Sequence, residues 1–115
     1  MKFTPQSIAD VILIEPKIHG DNRGYFLETF RQDLFEEIIG YPINFIQDNE
    51  SKSIKGTLRG LHYQKPPYSQ AKLVKVIKGS VLDVAVDIRK SSDTFGQHVA
   101  IVLKAESKNQ VFIPH

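Results

Sequence analysis

Lys72-Leu73-Val74-Lys75-Val76-Ile77-Lys78-Gly79-Ser80-Val81-Leu82-Asp83-Val84-Ala85-Val86-Asp87-Ile88-Arg89 consists of two strand-length runs parted by Gly79-Ser80. Both are rich in β-branched residues and too short for buried helices, so they read as strands. Lys78-Gly79-Ser80 joins them tightly enough to predict a hairpin. In the second run, alternation sets Leu82, Val84, Val86 and Ile88 on one side and Asp83, Ala85 and Asp87 on the other. The first side reads as ordinary core. The second is small and polar, as the lining of a ligand-holding barrel would be. Alternation alone leaves equally open that Asp83 and Asp87 simply face water.

Working outward, Ile43–Gln47, Thr57–Gln64, His98–Lys104 and Gln110–Ile113 are further strand-length runs, with Pro66-Pro67 and Ser91-Ser92-Asp93 as breakers. Nearer the N-terminus, Val11–Pro16 reads as a buried strand ended by proline, and Tyr25–Phe30 as another. His19-Gly20-Asp21-Asn22 between them is turn material. Arg31–Ile39 is the one helix candidate, because Phe30, Leu34, Phe35, Ile38 and Ile39 recur at spacings of three and four. Gly40 supplies its stop and Pro42 prevents resumption. Many short strands between turn signals predict an all-β sandwich or barrel.

At 115 residues the chain has room for one core. A net charge of +2, with no basic run of five or more, argues against nucleic acid as partner. The absence of cysteine excludes disulfide and thiolate chemistry and is compatible with a reducing compartment. Residues 1–10 lack the apolar core of a signal peptide, and no run approaches membrane-spanning length. The expectation is a cytoplasmic protein.

Chemistry concentrates in Gly56-Thr57-Leu58-Arg59-Gly60-Leu61-His62-Tyr63-Gln64, followed by Lys72. Histidine is the residue type that exchanges protons near neutrality, arginine binds anions bidentately and lysine is a compact cation. Together they suit proton removal beside a carbonyl on a phosphorylated substrate. By spacing alone Lys72 is one of the solvated lysines of a strand that also carries Lys75 and Lys78. Strict alternation puts Arg59 and His62 on opposite faces. If they share a ligand, the backbone must break between them, most cheaply at Gly60.

The chain also carries Arg23-Gly24-Tyr25-Phe26-Leu27-Glu28-Thr29-Phe30, Gln47-Asp48-Asn49, Lys55 to Gln64, Asp83 to Arg89, and Thr94-Phe95-Gly96, in that order. Together these blocks closely resemble the dTDP-4-dehydrorhamnose 3,5-epimerase family. The resemblance covers nearly the whole chain. It implies a cupin-like jelly roll with one short helix near residues 31–39, and residues 1–115 as a single, partial epimerase domain. It also implies inversion of C3 and C5 of dTDP-4-dehydro-6-deoxy-D-glucose, giving dTDP-4-dehydro-L-rhamnose. His62 matches the family's base and Lys72 a further catalytic residue. Arg23, Arg59, Glu28, Gln47 and Asn49 match contacts to the nucleotide sugar. Phe26, Tyr63 and Tyr68 offer faces on which thymine can stack, although packing is the default role for Phe26.

The chemistry requires no cofactor and no metal. Cupin metal sites cluster histidines, whereas His62-Tyr63-Gln64 has no second histidine two residues on. The family implies a homodimer with N-terminal strand exchange, in which Arg23 and Glu28 serve the partner's site. Its chains continue past Ile113-Pro114-His115 through strands that hold the proton-donor tyrosine and the aspartate pairing with the base. The expectation is therefore a truncated barrel with open edges. Alternative readings are a non-catalytic nucleotide-sugar-binding or assembly domain, a single-carbon epimerase or a ketoisomerase.

Overall fold

The computed structural model describes all of residues 1–115. It has β1 (Lys2–Pro5), β2 (Ile12–Glu15), β3 (Ile18–Asp21), β4 (Gly24–Leu27), α1 (Gln32–Ile39), β5 (Lys72–Lys75), β6 (Ser80–Val86), β7 (His98–Lys104) and β8 (Gln110–Ile113). The chain is thus mostly β with one short helix, as the run lengths predict. A four-stranded antiparallel sheet has the order β1-β2-β8-β5, and β3-β4 and β6-β7 form two-stranded ribbons.

Register explains the layering. The pairs Ile12↔Phe112, Val74↔Val111 and Leu73↔Phe112 set Ile12, Ile14, Leu73 and Phe112 on one face of the four-stranded sheet. Val74 and Val111 lie on the other. The first face packs on α1 through Phe35, which is 2% exposed and meets Phe112 edge-on at a ring separation of 5.1 Å. The second packs on the β6-β7 ribbon through Val99 and Leu103, with Val11 and Val111 buried between. Burial is modest: 11 of 115 residues are buried, and the radius of gyration is 15.0 Å against about 13 Å for a compact chain of this length. The β3-β4 hairpin and the irregular stretch 41–71 are almost wholly exposed.

The helix ends as its sequence predicts and begins one residue later, at Gln32. Arg31 is the extended N-cap, and Asp33 accepts from the Leu34 backbone N–H in the first turn. Gly40 takes the left-handed conformation, φ 81°, and its N–H closes onto Glu36 O at 2.9 Å. A Cβ at Gly40 would touch nothing. Gly40→Ala is therefore expected to cost about 1 kcal/mol through backbone strain alone, read as a lower urea midpoint at unchanged slope.

Several expectations are corrected. Ile43–Gln47 and Thr57–Gln64 are not strands. A strand needs a neighbour to take its N–H and C=O groups, and no segment of the 115 residues pairs with either run. Gly79-Ser80 does not close a hairpin: β5 pairs with β8 and β6 with β7. Gly79, at φ 82°, turns the chain from one sheet to the other, and its carbonyl accepts from Ala105 N–H at 3.0 Å. His19-Gly20-Asp21 belongs to β3 rather than to a turn, which is confined to Asn22-Arg23. On β6 the face read as ordinary core is the one corrected, and of the two readings left open for the other face the inward one holds. Leu82, Val84 and Ile88 are exposed, whereas Asp83 and Ala85 turn inward and Asp87 is buried. The reason is β7, whose Val99, Ile101 and Leu103 oppose Ala85, Asp83 and Val81 and already face the four-stranded sheet.

Asp87 anchors the connection between β6 and β7. Its carboxylate accepts from Arg89 Nε at 3.0 Å, Arg89 Nη2 at 2.9 Å, and the Ser92 and Thr94 hydroxyls at 2.6 Å each. Arg89 reaches on to Asp10 at 2.7 Å, tying this connection to the loop before β2. Arg89 first, and then both hydroxyls, hold the Asp87 carboxyl far below the usual carboxylate range against its burial.

Candidate functional site

The predicted site residues fall on three parts of the fold. Arg23 sits in the turn of the β3-β4 hairpin, where its guanidinium forks onto Asp21 at 2.7 and 3.2 Å. That bond holds the Asp21 carboxyl below its ordinary range. Both side chains are exposed, so the pair adds little to stability. It holds the guanidinium in one orientation at the hairpin turn. His19, Asp21, Arg23, Gly24, Tyr25 and Phe26 line an open depression of about 340 Å³. Arg23 and Phe26 therefore share one concavity, with the Phe26 ring 72% exposed. Glu28 is exposed just beyond β4.

The second part is the irregular stretch 41–71. Gln47 donates to Asn49 Oδ1 at 3.1 Å, so these two candidates meet directly across Asp48. Arg59 folds back on its own segment, donating to Ser53 Oγ at 2.9 Å and Lys52 O at 3.4 Å. Gly60, in a stretch that forms no strand, has φ 123°. A Cβ built there would lie 3.6 Å from His62 Nδ1, so the imidazole lies back over Gly60. His62 is exposed and joins no ion pair or side-chain hydrogen bond. Leu58, Leu61, Tyr63 and Tyr68 around it are also exposed.

The third part is the inner face of the sheets. Lys72 opens β5 opposite Ile113, with its side chain exposed. Across the gap Asp83 is half-buried on β6, beside Ala85. Burial pushes the Asp83 carboxyl up, and the Lys72 charge pulls it back. Sequence reasoning left Asp83 undecided because period-two alternation names two faces without saying which one another sheet covers. No group of three or more His, Cys, Asp or Glu side chains converges as a metal site would require. No helix is long and apolar enough to cross a membrane.

The structure thus gathers Arg23 with Phe26, Gln47 with Asn49, and Lys72 with Asp83. His62 and Arg59 are carried on one loop and share no hydrogen bond or ion pair with these groups.

Comparison with known proteins extends this picture. The profile of the dTDP-4-dehydrorhamnose 3,5-epimerase family matches residues 5–115. The dTDP-4-dehydrorhamnose 3,5-epimerase of Shigella flexneri is 56% identical over 114 residues, covering 99% of this chain and 63% of that relative. The crystal structure of the Elizabethkingia anophelis NUHP1 enzyme of the same description aligns at a TM-score of 0.95 and 47% identity, covering 100% of this chain and 63% of that one. The dTDP-6-deoxy-D-glucose-3,5-epimerase of Legionella pneumophila Philadelphia 1, solved with dTDP-4-keto-L-rhamnose, aligns at a TM-score of 0.92 and 50% identity, covering 98% and 60%. The chain spans about 60% of the length of the relatives it matches.

Proposed function

Because the chain belongs to the dTDP-4-dehydrorhamnose 3,5-epimerase family, we propose that it acts on dTDP-4-dehydro-6-deoxy-D-glucose by removing protons next to the C4 ketone. The observation that carries this reading is the match over residues 5–115, within which His62, Lys72, Arg23, Arg59, Glu28, Gln47, Asn49 and Phe26 all lie. His62 takes the proton from C3 or C5, and the electron pair left behind delocalises onto the C4 oxygen as an enolate. The Lys72 ammonium stabilises that oxygen electrostatically. Inversion is completed when an acid returns a proton to the opposite face of the ring. Arg23 and Arg59 hold the diphosphate, Glu28, Gln47 and Asn49 the remaining polar groups, and Phe26 offers its ring to thymine. No cofactor or metal enters these steps.

The hairpin supports a homodimer as the working unit. Ile18, Tyr25 and Phe26 are 45%, 60% and 72% exposed on an arm that its own chain leaves uncovered. A partner subunit that received the arm would place Arg23 and Glu28 beside the partner's own His62 and Lys72.

The test is NMR of dTDP-4-keto-6-deoxyglucose incubated with the chain in deuterated buffer. Deuterium at C3 and C5 above the enzyme-free rate supports the reading, and no exchange by the folded chain overturns it. A second reading, nucleotide-sugar binding without turnover, is favoured by one observation: His62 has no partner to fix its tautomer. Both readings require dTDP affinity. Arg59→Ala is expected to raise the Kd for dTDP about tenfold or more, the loss of a charge-assisted contact, measurable by calorimetric titration. An unchanged Kd would remove Arg59 from the diphosphate site.

A further inference from the structure

Lys72 and Asp83 continue two facing apolar stripes. On β5, Lys72 shares its side with Val74, and on β6, Asp83 shares its side with Ala85. Val74, Ala85 and Ile101, which pairs with Asp83, pack against the same buried cluster of Val99, Leu103 and Val111. The two polar residues therefore point into one space, between the four-stranded sheet and the β6-β7 ribbon. No direct ion pair joins them. A gap remains between carboxylate and ammonium.

The surroundings leave little else for Lys72 to answer to. Beside it on the inner face are Ile113 of β8 and Val11 next to β2, both apolar. The Lys2–Glu15 pair lies at the opposite end of the sheet, since Leu13 aligns through Val111 with Val74 and Glu15 lies beyond it. On β6 and the connection after it, Asp87 is consumed by Arg89, Ser92 and Thr94. The titratable groups of β7, His98 and Lys104, belong to its outward face. Lys75 alternates onto the helix side with Gln110.

We infer that Asp83 is a positioning residue for Lys72: its carboxylate, fixed on a strand and half-buried, directs the ammonium into the space between the sheets. The flexible stem of a lysine otherwise leaves its charge free to sample solvent, at the cost of its rotamer entropy whenever it is ordered. A fixed anion across a partly desolvated gap biases those rotamers toward the site. The inference rests on the proposed reaction, in which Lys72 faces the enolate oxygen, and adds a residue to it that does not itself touch the sugar.

Two measurements test it together. Carbon-13 NMR of the aspartate carboxyls follows the Asp83 titration in the unaltered chain and in Lys72→Gln. The Asp83 midpoint is expected at higher pH in Lys72→Gln, because the cation that stabilises its charged form has gone. An unchanged midpoint overturns the pairing. Deuterium exchange at C3 and C5 is then expected to fall about tenfold in Asp83→Asn at unchanged Kd for dTDP, and to recover in Asp83→Glu. Full exchange in Asp83→Asn overturns the positioning role, as does a loss that Asp83→Glu fails to restore. If the titration shifts but the unaltered chain exchanges nothing, the proposed reaction fails while the pairing of Lys72 with Asp83 holds.

Discussion

His62→Ala is expected to reduce deuterium incorporation at C3 and C5 by about 10² to 10⁴-fold, the range in which a positioned general base contributes. The Kd for dTDP should change little. The imidazole is exposed and its Nδ1 lies over Gly60, so its removal opens no cavity and breaks no hydrogen bond that shapes the loop. The fold should be indifferent as well: the far-ultraviolet spectrum and the urea midpoint should match those of the unaltered chain. That separation of effects identifies a base. If exchange persists in His62→Ala, the proton leaves by another route and the role assigned to His62 is wrong. If dTDP affinity falls in parallel with exchange, the side chain belongs to binding instead.

The second large effect is on stability. Asp87→Ala should destabilise the chain by about 3 kcal/mol, the scale on which a buried charge pair loses one partner. Four side-chain bonds converge on that carboxylate, and Ser92 and Thr94 lose their acceptor with it. With so few fully buried apolar side chains, this is a large share of the total. Because the folded value of Asp87 is depressed, its stabilising contribution is complete above the ordinary carboxylate value. It is lost as the pH falls below about 4, where the unfolded chain binds the proton that the folded chain refuses. Thermal melts from pH 7 to pH 2 should show the melting temperature of the unaltered chain dropping below pH 4. Asp87→Asn should start lower and decline less. Parallel curves for the two proteins would mean that the acid sensitivity arises elsewhere.

Much of the fold was legible in the sequence because its signals were local. The helix followed from spacing and from Gly40, and β7 and β8 from run length. What failed depended on partners. Thr57–Gln64 has the alternation of a strand, yet alternation describes which way side chains point, and a ladder exists only where a second backbone supplies its hydrogen bonds. The hairpin at Gly79 failed likewise, since a glycine in a left-handed turn serves a sheet-to-sheet crossing as well as a hairpin. In β6 the apolar stripe was visible, but β7 turns the Asp83 and Ala85 face inward and leaves Leu82 outside. Of the candidate site, a local irregularity at Gly60 was expected within a strand, but the stretch that carries Arg59 and His62 forms no strand in which faces are defined. That Asp83 faces Lys72 across a gap could not be read from spacing, because it is two sheets packing that brings them opposite.

The β3-β4 hairpin divides the candidate site by its resistance to local opening. Both faces of the hairpin are open. Beyond its own ladder it is held by Lys108 over the Tyr25 ring at 4.9 Å, and the chain just after it by the Gln110 amide on Thr29 O at 2.8 Å. Its backbone amides should trade hydrogen for solvent deuterium through excursions that cost far less than unfolding the sheet that carries Lys72. The guanidinium of Arg23 therefore rides on a soft arm, while the ammonium of Lys72 is mounted on a stiff frame. A nucleotide sugar whose diphosphate met Arg23 of one subunit while its ketone met Lys72 of the other would do its first work as a clamp, slowing exchange in the arm before any proton on the sugar moves.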